Sequence, residues 1–250
     1  MNIKNDRYLH QIMLPGFGEV GQERLSASRI LIIGVGGLGS IVGMYLAAAG
    51  VGKIVLSDYD LVELSNLHRQ IAHRTADIGR LKVDSARDTL LAINPEIEVI
   101  SIARVLENGE LAEEIAKSNA VVDACDNFET RFALNKICKQ FSVPLISGAA
   151  MGMIGQIALF NYRTASACYQ CLYPNTKNDL GTCNNHGVFP SIVGIIGATQ
   201  ATETLKLIIG MGESLSGRLL LFDAMTMEWR PLRLKRDPAC PICGTNSDFS

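Results

Sequence analysis

The chain is poor in the features that mark several large classes of protein. It has no basic run and a formal net charge of −2, so nothing in it neutralises a phosphate backbone, and general nucleic-acid binding is excluded. No G-x-x-x-x-G-K-[ST] occurs, so there is no Walker A lysine. No Pro/Ser/Gly linker, low-complexity tract or internal repeat divides the 250 residues, which predicts a single domain over residues 1–250. Met1-Asn2-Ile3-Lys4 lacks the apolar centre of a signal peptide, which predicts a cytoplasmic protein. Charge is scarce as well. With 19% of residues charged and 48% hydrophobic, the chain suits a large core and a sheet covered on both faces. In a reducing compartment the seven cysteines are expected as ligands, nucleophiles or core residues rather than disulfides.

What is present centres on Ile30 to Asp60. Ile30–Gly52 carries no charge and is long enough to resemble a membrane span, but it holds seven glycines in clusters and leads directly to Asp58. A buried parallel strand, a glycine turn and an inward helix explain it better, and no membrane segment is expected. Ile30–Ile33 is a β-branched run that ends in Gly34-x-Gly36-x-x-Gly39, with Gly37 inside the motif. These glycines permit a tight turn, close approach of backbone N–H groups to a phosphate, and close helix–strand packing. The helix Leu38–Ala49 would aim its N-terminus at that phosphate. Lys53–Ser57 is a second strand, and Asp58 stands where an acid meets ribose hydroxyls. The unit predicts a nucleotide without saying which one.

Further strands are expected at Glu98–Ile102, Ala120–Asp123, Pro144–Ser147 and Gln156–Phe160, with a closing hairpin at Arg218–Asp223 and Glu228–Leu234. Helical spacing marks Gly79–Ile93, Glu110–Ser118, the segment opened by Asp126-Asn127, and Pro190–Ile209. Asp6–Leu14 and Gln22–Ala27 read as short helices outside the sheet. The fold class is therefore α/β: a Rossmann-like, mostly parallel sheet with helices on both faces and an antiparallel extension. Its nucleotide-binding core covers about residues 28–150. An aperiodic loop spans about residues 163–187, and a tail spans residues 236–250.

Several groups carry chemistry. Cys168-x-x-Cys171 and Cys240-x-x-Cys243 form two chelating pairs, the outline of a structural Zn²⁺ site that clips the tail onto the loop. Four thiolates leave no open position, so this metal would not be catalytic. Asp126 has two readings: with Glu129 it fits a capping box, and just past a parallel strand end it fits a Mg²⁺ or phosphate-side carboxylate. Asn66 and Arg69 leave the end of the second strand, beside the glycine turn. Arg69 and Lys82 are either solvated charges or, near a nucleotide, phosphate clamps. Cys183 is either an idle loop thiol or a nucleophile. Cys125 and Cys138 read as core residues, and His10, His68, His73 and His186 as structural or surface residues.

Together these pieces resemble the ThiF/MoeB (HesA/MoeB/ThiF) family of ubiquitin-activating-like adenylyltransferases, from Arg7 to Gly244. The text that carries the resemblance includes GVGGLGS, LSNLHRQ, DACDNFETR, CYQC and CPIC. The resemblance implies ATP-dependent adenylation of the C-terminal glycine of a small ubiquitin-like sulfur carrier ending in Gly-Gly, with release of pyrophosphate, for thiamin or molybdopterin biosynthesis. It implies that Gly36, Gly37 and Gly39 shape the nucleotide pocket and that Asp58 holds ribose. It further implies that Asn66, Arg69 and Lys82 bind phosphates and that Asp126 binds Mg²⁺. This favours the functional reading of Asp126. A homodimer is implied, as is a sulfur-transfer part for Cys183 in the thiamin branch. No rhodanese segment follows Cys243, so a separate enzyme is expected to donate sulfur. Two departures stand out: His10 where the family commonly has arginine, and His68 where it has glutamine. Alternatives are activation of another carrier or a peptide carboxylate, a non-catalytic ATP- or carrier-binding relative, and, more distantly, a dehydrogenase.

Overall fold

A computed structural model describes residues 3–164, 166–174 and 187–244. The strands are β1 (Arg29–Ile33), β2 (Lys53–Ser57), β3 (Glu98–Ile102), β4 (Ala120–Asp123), β5 (Leu145–Met151), β6 (Ile154–Phe160), β7 (Arg218–Asp223) and β8 (Glu228–Arg233). They form one eight-stranded sheet in the order β3-β2-β1-β4-β5-β6-β7-β8. The first five strands pair in parallel and the last three continue antiparallel. Strand order reverses between β1 and β4, and the crevice outside the carboxyl ends at such a point is where open sheets hold ligands.

Alternation along the central strands explains their unbroken apolar runs. Ile30 and Ile32 of β1 enter one core with Val42 and Leu46 of α3 (Gly37–Ala48), Val83 and Leu90 of α4 (Lys82–Ile93), and Ala201 of α8 (Pro190–Ile209). Leu31 and Ile33 enter the other, with Ile115 of α5 (Asn108–Ala116), Leu134 and Cys138 of α6 (Phe128–Phe141), and Cys168, Cys240 and Cys243. Both faces are covered, so neither needs polar residues. Each fully buried Ile or Leu contributes roughly 1.5–3 kcal/mol relative to an exposed one. β8 is different: all six residues are exposed and Pro231 sits mid-strand, as an edge position allows.

The helix α8 begins with Pro190 in its first turn and stops at a left-handed Gly210, as the sequence predicts. It is the one described helix long and apolar enough to cross a membrane, yet half of it is buried against α3 and the sheet. The N-terminal helices are α1 (Ile3–Ile12) and α2 (Gly18–Ser26). Two other expectations shift. β5 runs on to Met151 and β6 starts at Ile154, because their antiparallel ladder pairs Ala149 with Gln156 and Ala150 with Gly155 despite weak strand propensity. The loop after Arg163 contains a short helix, α7 (Tyr169–Leu172).

Candidate active site

The glycine turn divides its labour by position. Gly34 has φ +89°, and a Cβ there would stand 2.7 Å from the Ala124 carbonyl oxygen. A Cβ on Gly39 would meet the Gly34 carbonyl at 1.9 Å, and one on Gly37 would meet Val193 of α8 at 2.9 Å. Those three serve close packing. Gly36 alone opens outward, with nothing nearer its Cβ position than Gln70 Nε2 at 3.6 Å. Gly36 is also the N-cap of α3 and brings no side-chain cap, so the first N–H groups of the helix are left for a ligand. Gln70 is 3% exposed and its Oε1 has no partner among the described residues. An outward-facing glycine and an orphaned buried acceptor beside a helix start fit a bound nucleotide.

At the end of β2, Asp58 Oδ2 accepts the Val35 N–H at 2.7 Å, and Oδ1 accepts the Asp60 N–H at 2.9 Å. Asp58 thus clamps the turn while presenting its outer lone pairs. Lys82 is not the solvated charge that its sequence position allowed. It is 7% exposed, and its Nζ donates to Asp60 Oδ2 at 2.6 Å. A lysine buried in the first turn of a helix works against both desolvation and the helix dipole. Among the described residues, the Asp60 carboxylate is the hydrogen-bond and ion-pair partner that offsets these costs.

Asp126 is exposed, and no hydrogen bond or ion pair among the described residues engages its carboxylate. The capping-box reading is corrected: Asn127 caps α6, its Oδ1 accepting the Thr130 N–H at 2.9 Å. An Asn side chain reaches N3 from that position without help from its neighbour. The hydroxyl of Tyr59 reports the surrounding field. Its pKa is raised by Asp60, by burial, and then by Asp126 and Asp58, with Lys82 opposing. Tyr59, the three carboxylates and the ammonium therefore share one site.

Asn66 and Arg69 are placed differently. Leu64–Asn66 forms a 3-10 turn, and buried Asn66 closes it by accepting the Glu63 N–H at 3.1 Å. Arg69 Nη1 donates to the Ser65 carbonyl at 3.0 Å and lies 2.8 Å from His68 Nε2. Arginine only donates, so His68 Nε2 is the acceptor. Both side chains line a cavity of about 270 Å³ beside Ile41 and the start of α8 at Pro190 and Ser191. His73 supports the turn from behind: Nε2 contacts the Val35 carbonyl at 3.2 Å and Nδ1 the Ser85 hydroxyl at 2.9 Å. Burial lowers its pKa, with the Val35 bond opposing. His10 is exposed near the end of α1. Cys183 and His186 lie outside the described residues.

On the sheet face that α6 covers, the four cysteines converge. Cys168 Sγ is 3.9 Å from Cys171 and 3.6 Å from Cys240, and Cys171 is 3.3 Å from Cys243. All four sulfurs lie within 4.8 Å of one another. A tetrahedron with metal–sulfur bonds of about 2.3 Å has edges of about 3.8 Å, so the set fits Zn²⁺.

Sequence reasoning overlooked Tyr59 and Asp60, although LSDYD ends the strand with four polar residues. It also passed over Asp123, Gln70 and Arg131. Arg131 carried a signal: a charge at i on the stripe continued by Leu134 and Cys138.

A glycine turn, a strand-end carboxylate and a second acid past β4 define an open-sheet α/β protein of the nucleotide-binding type, here with a four-cysteine clip. The chain belongs to the ThiF family, which it matches over residues 8–242. It is 45% identical to the molybdopterin-synthase adenylyltransferase of Escherichia coli K12, over 95% of this chain and 96% of that protein. It is 43% identical to the maize adenylyltransferase and sulfurtransferase MOCS3-1, covering 98% of this chain and 53% of that longer one. Among solved structures, E. coli MccB with MccA-N7isoASN superposes with a TM-score of 0.85 at 24% identity, over 96% of this chain and 75% of the other. That likeness speaks for the fold.

Proposed function

We propose that this protein adenylates the C-terminal glycine of a small ubiquitin-like sulfur carrier ending in Gly-Gly, with a carrier of the molybdopterin-synthase (MoaD-like) type favoured over a thiamin-type (ThiS-like) one. The single observation that carries the reaction is buried Lys82 on Asp60, beside the unengaged carboxylate of Asp126 and the open side of Gly36. The identity to molybdopterin-synthase adenylyltransferases across nearly the whole chain supports the choice of carrier.

In this reading the carrier's carboxylate oxygen attacks the α-phosphorus of ATP. The bond from that phosphorus to the bridging oxygen breaks, pyrophosphate leaves, and an acyl-adenylate remains. N–H groups at Gly36, Gly37 and Gly39 cradle phosphate and Asp58 accepts from ribose hydroxyls. Lys82 and Arg69 offset charge that grows on phosphate oxygens, with Asn66 shaping the turn that presents Arg69. Asp126 would hold Mg²⁺, which when bound supplies further charge stabilisation. Cys168, Cys171, Cys240 and Cys243 would hold structural Zn²⁺. A homodimer in the cytoplasm and a separate sulfur-donating enzyme complete the proposal, and a transfer role for Cys183 belongs to the thiamin-type alternative.

The test is ATP–pyrophosphate exchange with Mg²⁺ and each purified carrier. Exchange with a molybdopterin-type carrier, lost when its last glycine is removed, is the expected result. Exchange only with a thiamin-type carrier would reassign the pathway. ATP binding without exchange on any carrier would mark a different substrate or a non-catalytic relative.

A further inference from the structure

Beneath the exposed Asp126 lies a buried ion pair that none of the substrate contacts above uses. Asp123, the last residue of β4, is 0% exposed. Its Oδ2 accepts the Ser147 hydroxyl at 2.6 Å and lies 3.4 Å from Arg131 Nη1. Its Oδ1 accepts the Cys125 N–H at 3.2 Å and the Cys125 thiol at 2.8 Å. Arg131, one turn into α6 and 5% exposed, donates from Nη1 to Ser147 Oγ at 3.2 Å. Its Nη2 donates to the carbonyls of Cys125 at 2.5 Å and Gly148 at 2.8 Å. Tyr169, which the clip helix α7 delivers, lies close enough to the guanidinium to raise its pKa. Burial opposes the charge on Arg131, but Asp123, Cys125 and Tyr169 together more than offset it and the guanidinium stays protonated.

The Cys125 carbonyl belongs to the peptide bond that leads into Asp126. Both backbone polar groups of residue 125 are thus held by one pair, the N–H on Asp123 and the C=O on Arg131. On the far side, Asn127 is fixed as the cap of α6. One residue earlier, the Ala124 N–H donates to the Ile33 carbonyl at 2.9 Å, and its own carbonyl packs on Gly34. Asp126 is suspended between anchored residues and registered against the glycine turn, with its own carboxylate left unengaged. A buried ion pair is weak evidence for stability, since an apolar pair can pack as well. Fixing a neighbouring turn is a reason to keep one here.

We infer that Arg131 is a positioning residue. Through Asp123 and the Cys125 carbonyl it sets where Asp126 stands relative to the glycine turn, so that binding of Mg²⁺ with ATP depends on its fork of donors. The inference rests on the ATP and Mg²⁺ reading of the site. Lysine keeps the charge but not the planar fork that reaches the Cys125 and Gly148 carbonyls together.

The test is calorimetry of ATP binding across a Mg²⁺ titration, on the full chain with its zinc loaded, comparing wild type with Arg131→Lys. AMP binding without Mg²⁺ and circular dichroism serve as controls. The expected result is Mg²⁺-dependent affinity weaker by about tenfold or more, with AMP affinity and the spectrum unchanged. Equal Mg²⁺ dependence in a folded Arg131→Lys protein would overturn the inference. Should that variant not fold, Asp123→Asn with Arg131→Gln, which leaves no lone buried charge, carries the same expectation and the same refutation. Wild type that binds no Mg²⁺-dependent ATP would instead overturn the functional reading, and this inference with it.

Discussion

The strand-end site and the cysteine clip are built on one sheet and use their polar groups in opposite ways. In the clip every thiol sits against another, three of the four are buried, and no position is left for a substrate. At the strand ends groups are left open: among the described residues Asp126 has no hydrogen-bond or ion-pair partner and Gln70 keeps an orphaned oxygen, and Gly36 faces outward. A closed set of ligands stabilises the fold. An unsatisfied set held in place by its surroundings is what a ligand completes.

The contrast can be broken from either side. The largest effect is expected at Asp126. Asp126→Ala should lower Mg²⁺-dependent pyrophosphate exchange by at least about 10²-fold, while stability stays within about 0.5 kcal/mol because the carboxylate is exposed and unengaged. Unchanged exchange in a radioactive pyrophosphate assay would remove Asp126 from the chemistry.

Lys82→Ala comes next. It should cost roughly 10–10²-fold in exchange, mainly in the rate constant, because the charge that Lys82 offsets grows toward the transition state. Asp60 is half exposed and can return to water, so the melting temperature should change little. A large loss of stability with normal exchange would make Lys82 a structural ion-pair partner instead. The clip predicts the reverse pattern. Stripping metal with a chelator should lower stability by about 4 kcal/mol where free metal stands about a thousandfold above its Kd, and exchange per folded molecule should fall far less. An equally heat-stable apo protein would refute the clip.

The smallest effect concerns pH. Burial holds His73 below its ordinary pKa, so below about 6.5 the unfolded chain takes up a proton that the folded chain refuses. Its contribution is therefore complete above the unfolded value and is lost as pH falls toward the folded one. Urea midpoints between neutral pH and pH 5 should fall with acid in wild type and fall less in His73→Asn; parallel curves would exclude His73 as the source.

Much of this was legible before any coordinates. Strand and glycine-turn positions followed from β-branched runs that stop at glycine, and the cysteine pairs announced a clip by chelate spacing alone. The limits of helices were less secure. Asp126 and Asn127 are both competent caps by composition, and the choice fell to Asn127, whose extended backbone (φ −127°, ψ 147°) aims its side chain at Thr130. Lys82 looked like any flank lysine because nothing in local periodicity records that the first turn of α4 meets Asp60 past the end of β2.

By itself, then, the sequence determined the α/β class, the nucleotide turn and the four thiolates, because each rests on contacts within a few residues or on a chelate repeat. Tertiary structure alone decided that Lys82 is buried, that Asp126 makes no hydrogen bond or ion pair with the described residues, and that Arg131 grips the turn before it. Those outcomes depend on backbone and side-chain groups brought together from separate strands and helices, and on burial that makes a charge costly unless partnered.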